Sequence, residues 1–205
     1  MVQSTHALIH AGGLAAFLNA EDVFAVTLAA IIHDFEHKGL SNDFLVKTGD
    51  AWVKDAAAAA AAAGSRTGSS QPTAPPNPPN EHHHAVAALK LLESDSCNFM
   101  QHFDPVVKDR ILKAVTSLVL ATDMAKHKQL TDAMVSRLAP VLQEQAGAGG
   151  GRTALSCLAE PDNAELKHLA MHCLIKAGDD TERHGPSRMR STCPLMGCTL
   201  IGDAL

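Results

Sequence analysis

Tyrosine is absent from the 205 residues, tryptophan occurs once, and aromatic side chains together make up only 3%. A core built from such a chain is filled mainly by alanine and leucine, and alanine favours helix. Strand-like alternation of any length is also missing, and no internal repeat is visible, so the fold class read from the sequence is all-α. An excess of positive charge is lacking as well. Seventeen Lys and Arg against 22 Asp and Glu leave a formal net charge of −5, which argues against a nucleic-acid partner with its need for a basic footprint. No uncharged apolar run reaches the ~18 residues of a membrane span. The N-terminus has no basic stretch followed by an apolar one, so no signal peptide is expected. Cysteine is sparse, odd in number at five, and forms no CxxC pair. Reduced, mostly buried thiols in an intracellular, cytoplasmic protein are the expectation. Zinc on Cys193 and Cys198 is the sharper alternative, but nothing nearby completes a ligand set.

What is present is a 46% hydrophobic content, enough for a buried core. Residues 2–18 carry leucines at mixed helical spacing. Asp22 is placed to cap a second helix reaching about Lys38, with Val23, Val26, Ile31 and Phe35 inward and Gly39 as its stop. A short helix starts at Asn42. At Asp55 the composition changes to an alanine run and then GSRTGSSQPTAPPNPPN. Residues 55–79 are therefore expected to be a low-complexity insertion in a surface loop. Helical patterning resumes at Glu81, with Val86, Leu89 and Leu92, and continues to about Glu93. Further helices are expected over about 105–126, with Ile111, Leu112, Val115, Leu118 and Val119 inward, and over about 131–145. AGAGGGR is a second break. The last helix is expected over about 160–177, with Leu166, Leu169, Ala170, Cys173 and Leu174 on one face. Beyond Asp180 the pattern dissolves.

Chemistry concentrates at His33-Asp34-Phe35-Glu36-His37. A neighbouring imidazole and carboxylate offer nitrogen and oxygen to one cation, and the two carboxylate oxygens can bridge two. On a helix, His37 would share a face with His33. The preceding LAAII is apolar, and a buried carboxylate needs a partner such as a metal. An isolated His-Asp pair is more commonly a hydrogen-bonded core pair. Here, however, further candidates follow in order: His82-His83-His84, then Asp123 after an apolar helix, then Asp179 after another. Each has a plainer reading as a polar helix entry or a solvated helix end.

Taken together, the early His-Asp and the late Asp resemble the HD superfamily of metal-dependent phosphohydrolases. The segment HDFEHKGLSNDFL, His33 to Leu45, is similar to the HDxxHxGxxNxFL signature of class I 3′,5′-cyclic nucleotide phosphodiesterases. EHHHAVAALKLLES, LVLATDMAKH and CLIKAGD resemble further segments of that family, and VQSTHALI resembles the stretch after its first metal histidine. The resemblance covers about residues 2–54 and 80–180. It implies a compact helical bundle and two divalent metals, zinc with magnesium or manganese, in a pocket. Carried over, Asp34 bridges the metals while His33 and Asp179 hold the tight one. His37, Asn42, His82 or His83, and Asp123 orient waters and ligands. The implied reaction is hydrolysis of cAMP or cGMP to the 5′-monophosphate, with water activated between the metals opening the 3′ ester.

The chain also departs from the family pattern. The YHNxxH motif, with the acid that protonates the leaving oxygen, is expected upstream of Met1. The family pattern also stops after Asp179, so 181–205 is expected to be a divergent, disordered tail. The glutamate before the HH pair is read as Asn80, with Glu81 one place late. The domain is thus expected to be truncated at both ends, with residues 1–54 and 80–180 as its parts and its activity impaired alone. Two alternatives stand beside it: a truncated, non-catalytic paralogue acting as a binding or regulatory protein, and a broader HD phosphohydrolase acting on another phosphoester.

Overall fold

The computed structural model describes residues 1–10, 14–65, 77–147 and 164–184. Among the described residues every regular element is helical, as the missing alternation predicts. The helices are α1 (Val2–His10), α2 (Ala20–Ile32), α3 (Asn42–Thr48), α4 (Ala51–Ser65), α5 (Pro79–Leu92), α6 (Pro105–Ala121), α7 (His127–Gly147) and α8 (Ala164–His184), with 3-10 turns at Leu14–Ala16 and Met124–Lys126. None of the described helices is long and apolar enough to cross a membrane. Two compact units emerge: Met1–Ile31 with the residues from Met124 onward, and Ile32–Asp123.

In the first unit α8 is the central element, packed by α1 and by α7. Leu8 and Ile9 of α1 are almost fully buried, each contributing about 1.5–3 kcal/mol. On α8 the buried side chains are Leu166, Ala170, Cys173 and Leu174 of the expected face, together with Met171 and Ile175. Leu169 is only half-buried. Gly178 is required by a close approach: a Cβ there would lie 2.6 Å from Thr5 Oγ1. Asp22 does not cap α2 in the way expected. Asn19 is the cap, its Oδ1 accepting from Asp22 N–H at 2.8 Å, while Asp22 Oδ2 accepts from Asn19 N–H at 3.0 Å. This reciprocal box satisfies two backbone donors that the helix start leaves open. Asp22 Oδ2 also pairs with Lys167 Nζ of α8 at 2.9 Å.

The second unit is built on α5, which packs against α3, α4 and α6. Asp104 caps α6 by accepting from Val106 and Val107 N–H, and Pro105 opens the helix, where no amide partner is lost. Ile111, Val115, Leu118 and Val119 are buried as their spacing predicts, and Leu112 is half-buried. On α5, Leu89 and Leu92 are half-buried and Val86 is exposed, and His84, Ala85 and Ala88 make up the buried face.

Several expected boundaries move. α2 ends at Ile32 rather than near Lys38, so the HDFEH segment forms a turn. The alanine run is not loop: α4 carries it as helix to Ser65, with Ala56 buried, which follows from alanine's low entropic cost in helices. α6 stops at Ala121, and α8 continues past Asp180 to His184. The rest of the expected insertion (66–76), the glycine-rich break from 148, and the tail from 185 with Cys193 and Cys198 lie outside the described residues. Neither Cys97 nor Cys173 is in a disulfide; Cys97 is half-buried and Cys173 is buried.

Candidate metal centre

The site begins where α2 ends. After Ile32 the chain turns through His33–Glu36, closed by backbone bonds from Phe35 N–H to the Ile32 carbonyl and from His37 N–H to the Asp34 carbonyl. Glu36 has φ +60°, a left-handed conformation that no other non-glycine residue adopts among those described. It costs roughly 1–2 kcal/mol for an L-residue and needs support from elsewhere. Gly39, at φ +74°, completes the change of direction without that cost.

This turn, not helical spacing, brings His37 to Asp34. Asp34, His37 and His84 each present a ligand-capable atom, all within 4.8 Å of one another, and no other such group of three occurs among the described residues. His84 comes from α5, its ring centroid 5.3 Å from that of His37. Its side chain is 1% exposed, and neither ring nitrogen has a hydrogen-bond partner of normal geometry. Burial pulls its pKa down to about 4, with His37 and His83 adding to this, while the nearby His33 backbone and the Asp34 carboxylate oppose it. His84 is therefore neutral near pH 7, with a lone pair to give. A buried neutral imidazole whose ring nitrogens make no hydrogen bond of normal geometry, beside a carboxylate, fits a divalent cation of the N/O-loving kind, zinc or manganese among them.

His37 has a different aptitude. Its Nδ1 accepts from Gly39 N–H at 2.8 Å. In the neutral ring the proton then sits on Nε2, which makes that nitrogen a donor to an oxygen. His33 Nε2 lies 3.2 Å from Asp34 Oδ2. It thus holds the carboxylate and is not a member of the donor group.

The remaining candidates distribute themselves around α5. Asn42 works on the helix start: its Oδ1 accepts from Asn80 N–H at 3.0 Å, and its Nδ2 donates to Glu81 Oε2 at 2.9 Å. Asn80 Nδ2 donates to the Leu40 carbonyl at 2.8 Å. Glu81 is thus the carboxylate used here, and Asn80 does not replace it. His83 Nε2 bonds Glu36 Oε2 at 2.9 Å, which supplies the support Glu36 needs. His82 is half-buried, its pKa lowered first by burial, with Asp55 opposing and His83 adding; it stands outside the donor group. Asp123, half-buried, follows the Thr122 end of α6. Asp179 belongs to the first unit, on α8, buried with Oδ2 3.8 Å from Lys176 Nζ.

His84 is the residue that the sequence reading passed over. Ala88, four residues on and so on the same helical face, is buried with it, but nothing in the sequence separates His84 from His82 and His83.

Comparison with known proteins adds to this geometry. A family profile described as 3′,5′-cyclic nucleotide phosphodiesterase matches residues 1–55 and 76–190. The match leaves out most of the alanine- and proline-rich segment and extends beyond Asp179. The 3′,5′-cyclic-AMP phosphodiesterase 4C of Rattus norvegicus is 31% identical over 130 residues, 63% of this chain and 21% of that protein. The dual specificity calcium/calmodulin-dependent 3′,5′-cyclic nucleotide phosphodiesterase 1 of Drosophila melanogaster is 29% identical over 173 residues, 84% of this chain and 17% of that one. Two solved structures share the fold. LmjPDEB1 in complex with IBMX aligns with TM-score 0.63 at 23% identity, over 99% of this chain and 50% of its own. The phosphodiesterase domain of the RhoPDE fusion protein from Salpingoeca rosetta aligns with TM-score 0.62 at 20% identity, over 93% and 50%. The chain thus spans about a fifth of these curated relatives and half of these solved chains.

Proposed function

The chain belongs to the 3′,5′-cyclic nucleotide phosphodiesterase family, and from that premise we propose that it serves the metal-dependent hydrolysis of cAMP, cGMP or both to 5′-monophosphates in intracellular signalling. The observation that carries this reading is the convergence of Asp34, His37 and His84 within 4.8 Å. Asp34 supplies a carboxylate and His84 a neutral imidazole to a divalent cation, with zinc and then magnesium or manganese as the candidates. When bound, such ions neutralise charge on phosphoryl oxygens and lower the pKa of water. His33 orients the Asp34 carboxylate through its 3.2 Å contact. His37 Nε2–H donates to an oxygen of the phosphate or of water. Asn42 and Glu81 fix the start of α5 and so the height of His84.

The test is to give the purified chain zinc and magnesium, then cAMP and cGMP, and to separate the products chromatographically. Metal-dependent formation of the 5′-monophosphate, lost in Asp34→Asn, is the expected result. Zinc binding without hydrolysis would favour the alternative of a binding or regulatory protein. Absence of both would end the reading.

A further inference from the structure

The two residues that flank His37 both end on one indole ring. On one side, Glu36 bonds His83 at 2.9 Å, and the His83 ring stacks on Trp52 with centroids 3.6 Å apart and planes 12° from parallel. On the other side, the Lys38 ammonium lies 3.8 Å from the Trp52 ring. Lys38 is itself held by both Asp50 oxygens at 3.0 and 2.9 Å. Asp50 Oδ1 in turn accepts from Trp52 N–H at 3.0 Å. The indole also meets His84 edge-on, at 6.5 Å between centroids. Trp52 is nearly buried and is the only tryptophan of the chain.

We propose that Trp52 is a positioning residue: in contact with both the His83 imidazole and the Lys38 ammonium, it ties both shoulders of the Asp34–His37 turn to α4 and α5, and thereby sets the spacing of Asp34, His37 and His84. The proposal rests on the reading of Asp34 and His84 as a cation site with His37 beside it. Physically the device is specific. The faces of an indole carry negative potential that attracts a cation, and they also let a flat ring stack on them. An aliphatic side chain would fill the space without holding either neighbour. The turn needs such a hold because Glu36 sits at φ +60°.

The experiment measures zinc affinity of the 205-residue chain by competition with a chromophoric chelator, alongside the melting temperature of the metal-free protein. Trp52→Leu is expected to weaken zinc binding about tenfold, the range typical for partners that orient ligands. Trp52→Phe keeps a ring face for both neighbours and stays within about threefold of the parent. Glu36→Ala removes the oxygen that His83 bonds, weakens zinc binding about as much as Trp52→Leu, and makes Trp52 fluorescence more accessible to acrylamide. Parental zinc affinity in Trp52→Leu, or a Phe variant as weak as the Leu one, overturns the proposal while leaving the cation site standing. A parent chain that binds no zinc removes the site and this inference with it.

Discussion

His84 and His172 are both held at a pKa of about 4 by burial, yet their surroundings are opposed. His84, in the second unit, faces the Asp34 carboxylate as well as His37 and His83. His172, in the first unit, faces His168, 4.3 Å away between ring centroids, and the Lys126 ammonium. It lines a cavity of about 270 Å³ that also carries Arg137 and Glu165, themselves paired at 2.7 Å. Burial alone makes a neutral imidazole. Only an adjacent carboxylate makes it part of a cation site, because a neighbouring ammonium repels the ion that the lone pair would hold. The units differ in the same sense more widely. Both bury apolar helix faces, but only in the second do side-chain bonds run from a turn to the start of a helix.

The largest expected effect breaks the trio itself. Asp34→Asn lowers zinc affinity by about 100-fold or more, beyond the usual cost of an orienting partner, as read by calorimetry. His172→Phe leaves zinc affinity unchanged. If both variants lose zinc equally, the distinction between the two histidines fails.

Next in size is the glycine crossing of the first unit. Gly178→Ala drives a methyl to 2.6 Å from Thr5 Oγ1, and overpacking of this kind costs about 1–3 kcal/mol. Urea denaturation measures the loss, and adding Thr5→Ala restores most of it. The same pair of changes is expected to leave the spacing of Asp34 and His84 untouched.

Acid should weaken both units. Unfolded, His172 takes up a proton around its ordinary 6.5; folded, it resists until about 4. The unfolded chain binds more protons between those values. The contribution is therefore fully present above about pH 6.5 and is lost as pH falls toward 4. His172→Phe flattens that part of the stability–pH curve, as melting temperatures across the range will show. A curve unchanged by the substitution would mean that His172 is not protected from protonation.

The smallest effect belongs to the exposed ion pairs. Lys113→Ala removes a 2.7 Å contact to Asp109 on α6, with both side chains mostly in solvent. It changes stability by no more than about 0.5 kcal/mol. A larger loss would mean that charge pairs outside the turn also matter in the second unit.

How much of this was legible depended on how local each cause is. α6 and most of the α8 face were readable, because period-3.6 burial of Ile111, Val115, Leu118 and Val119, or of Leu166, Ala170 and Leu174, follows from the residues alone. The HDFEH turn was legible as chemistry and misread as helix. Its shape depends on Glu36 at φ +60° and on His83, which answers from another element. His84 was hidden among three consecutive histidines. Each lies about 100° further round α5, and which one is buried is decided by where α5 packs.

By itself, then, the sequence determined the helical class, the family and the segment that carries Asp34, because composition, spacing and a thirteen-residue segment from His33 to Leu45 are properties of the chain alone. Tertiary structure alone decided that Asp34 meets His37 and His84, that Asn42 serves the start of α5, and that Trp52 meets both Lys38 and His83. The physical reason is range. Propensity and periodicity act over a few residues, whereas most of these contacts join the turn and α3 or α4 to α5, which lies far along the chain, and they exist only once α3, α4 and α5 are packed.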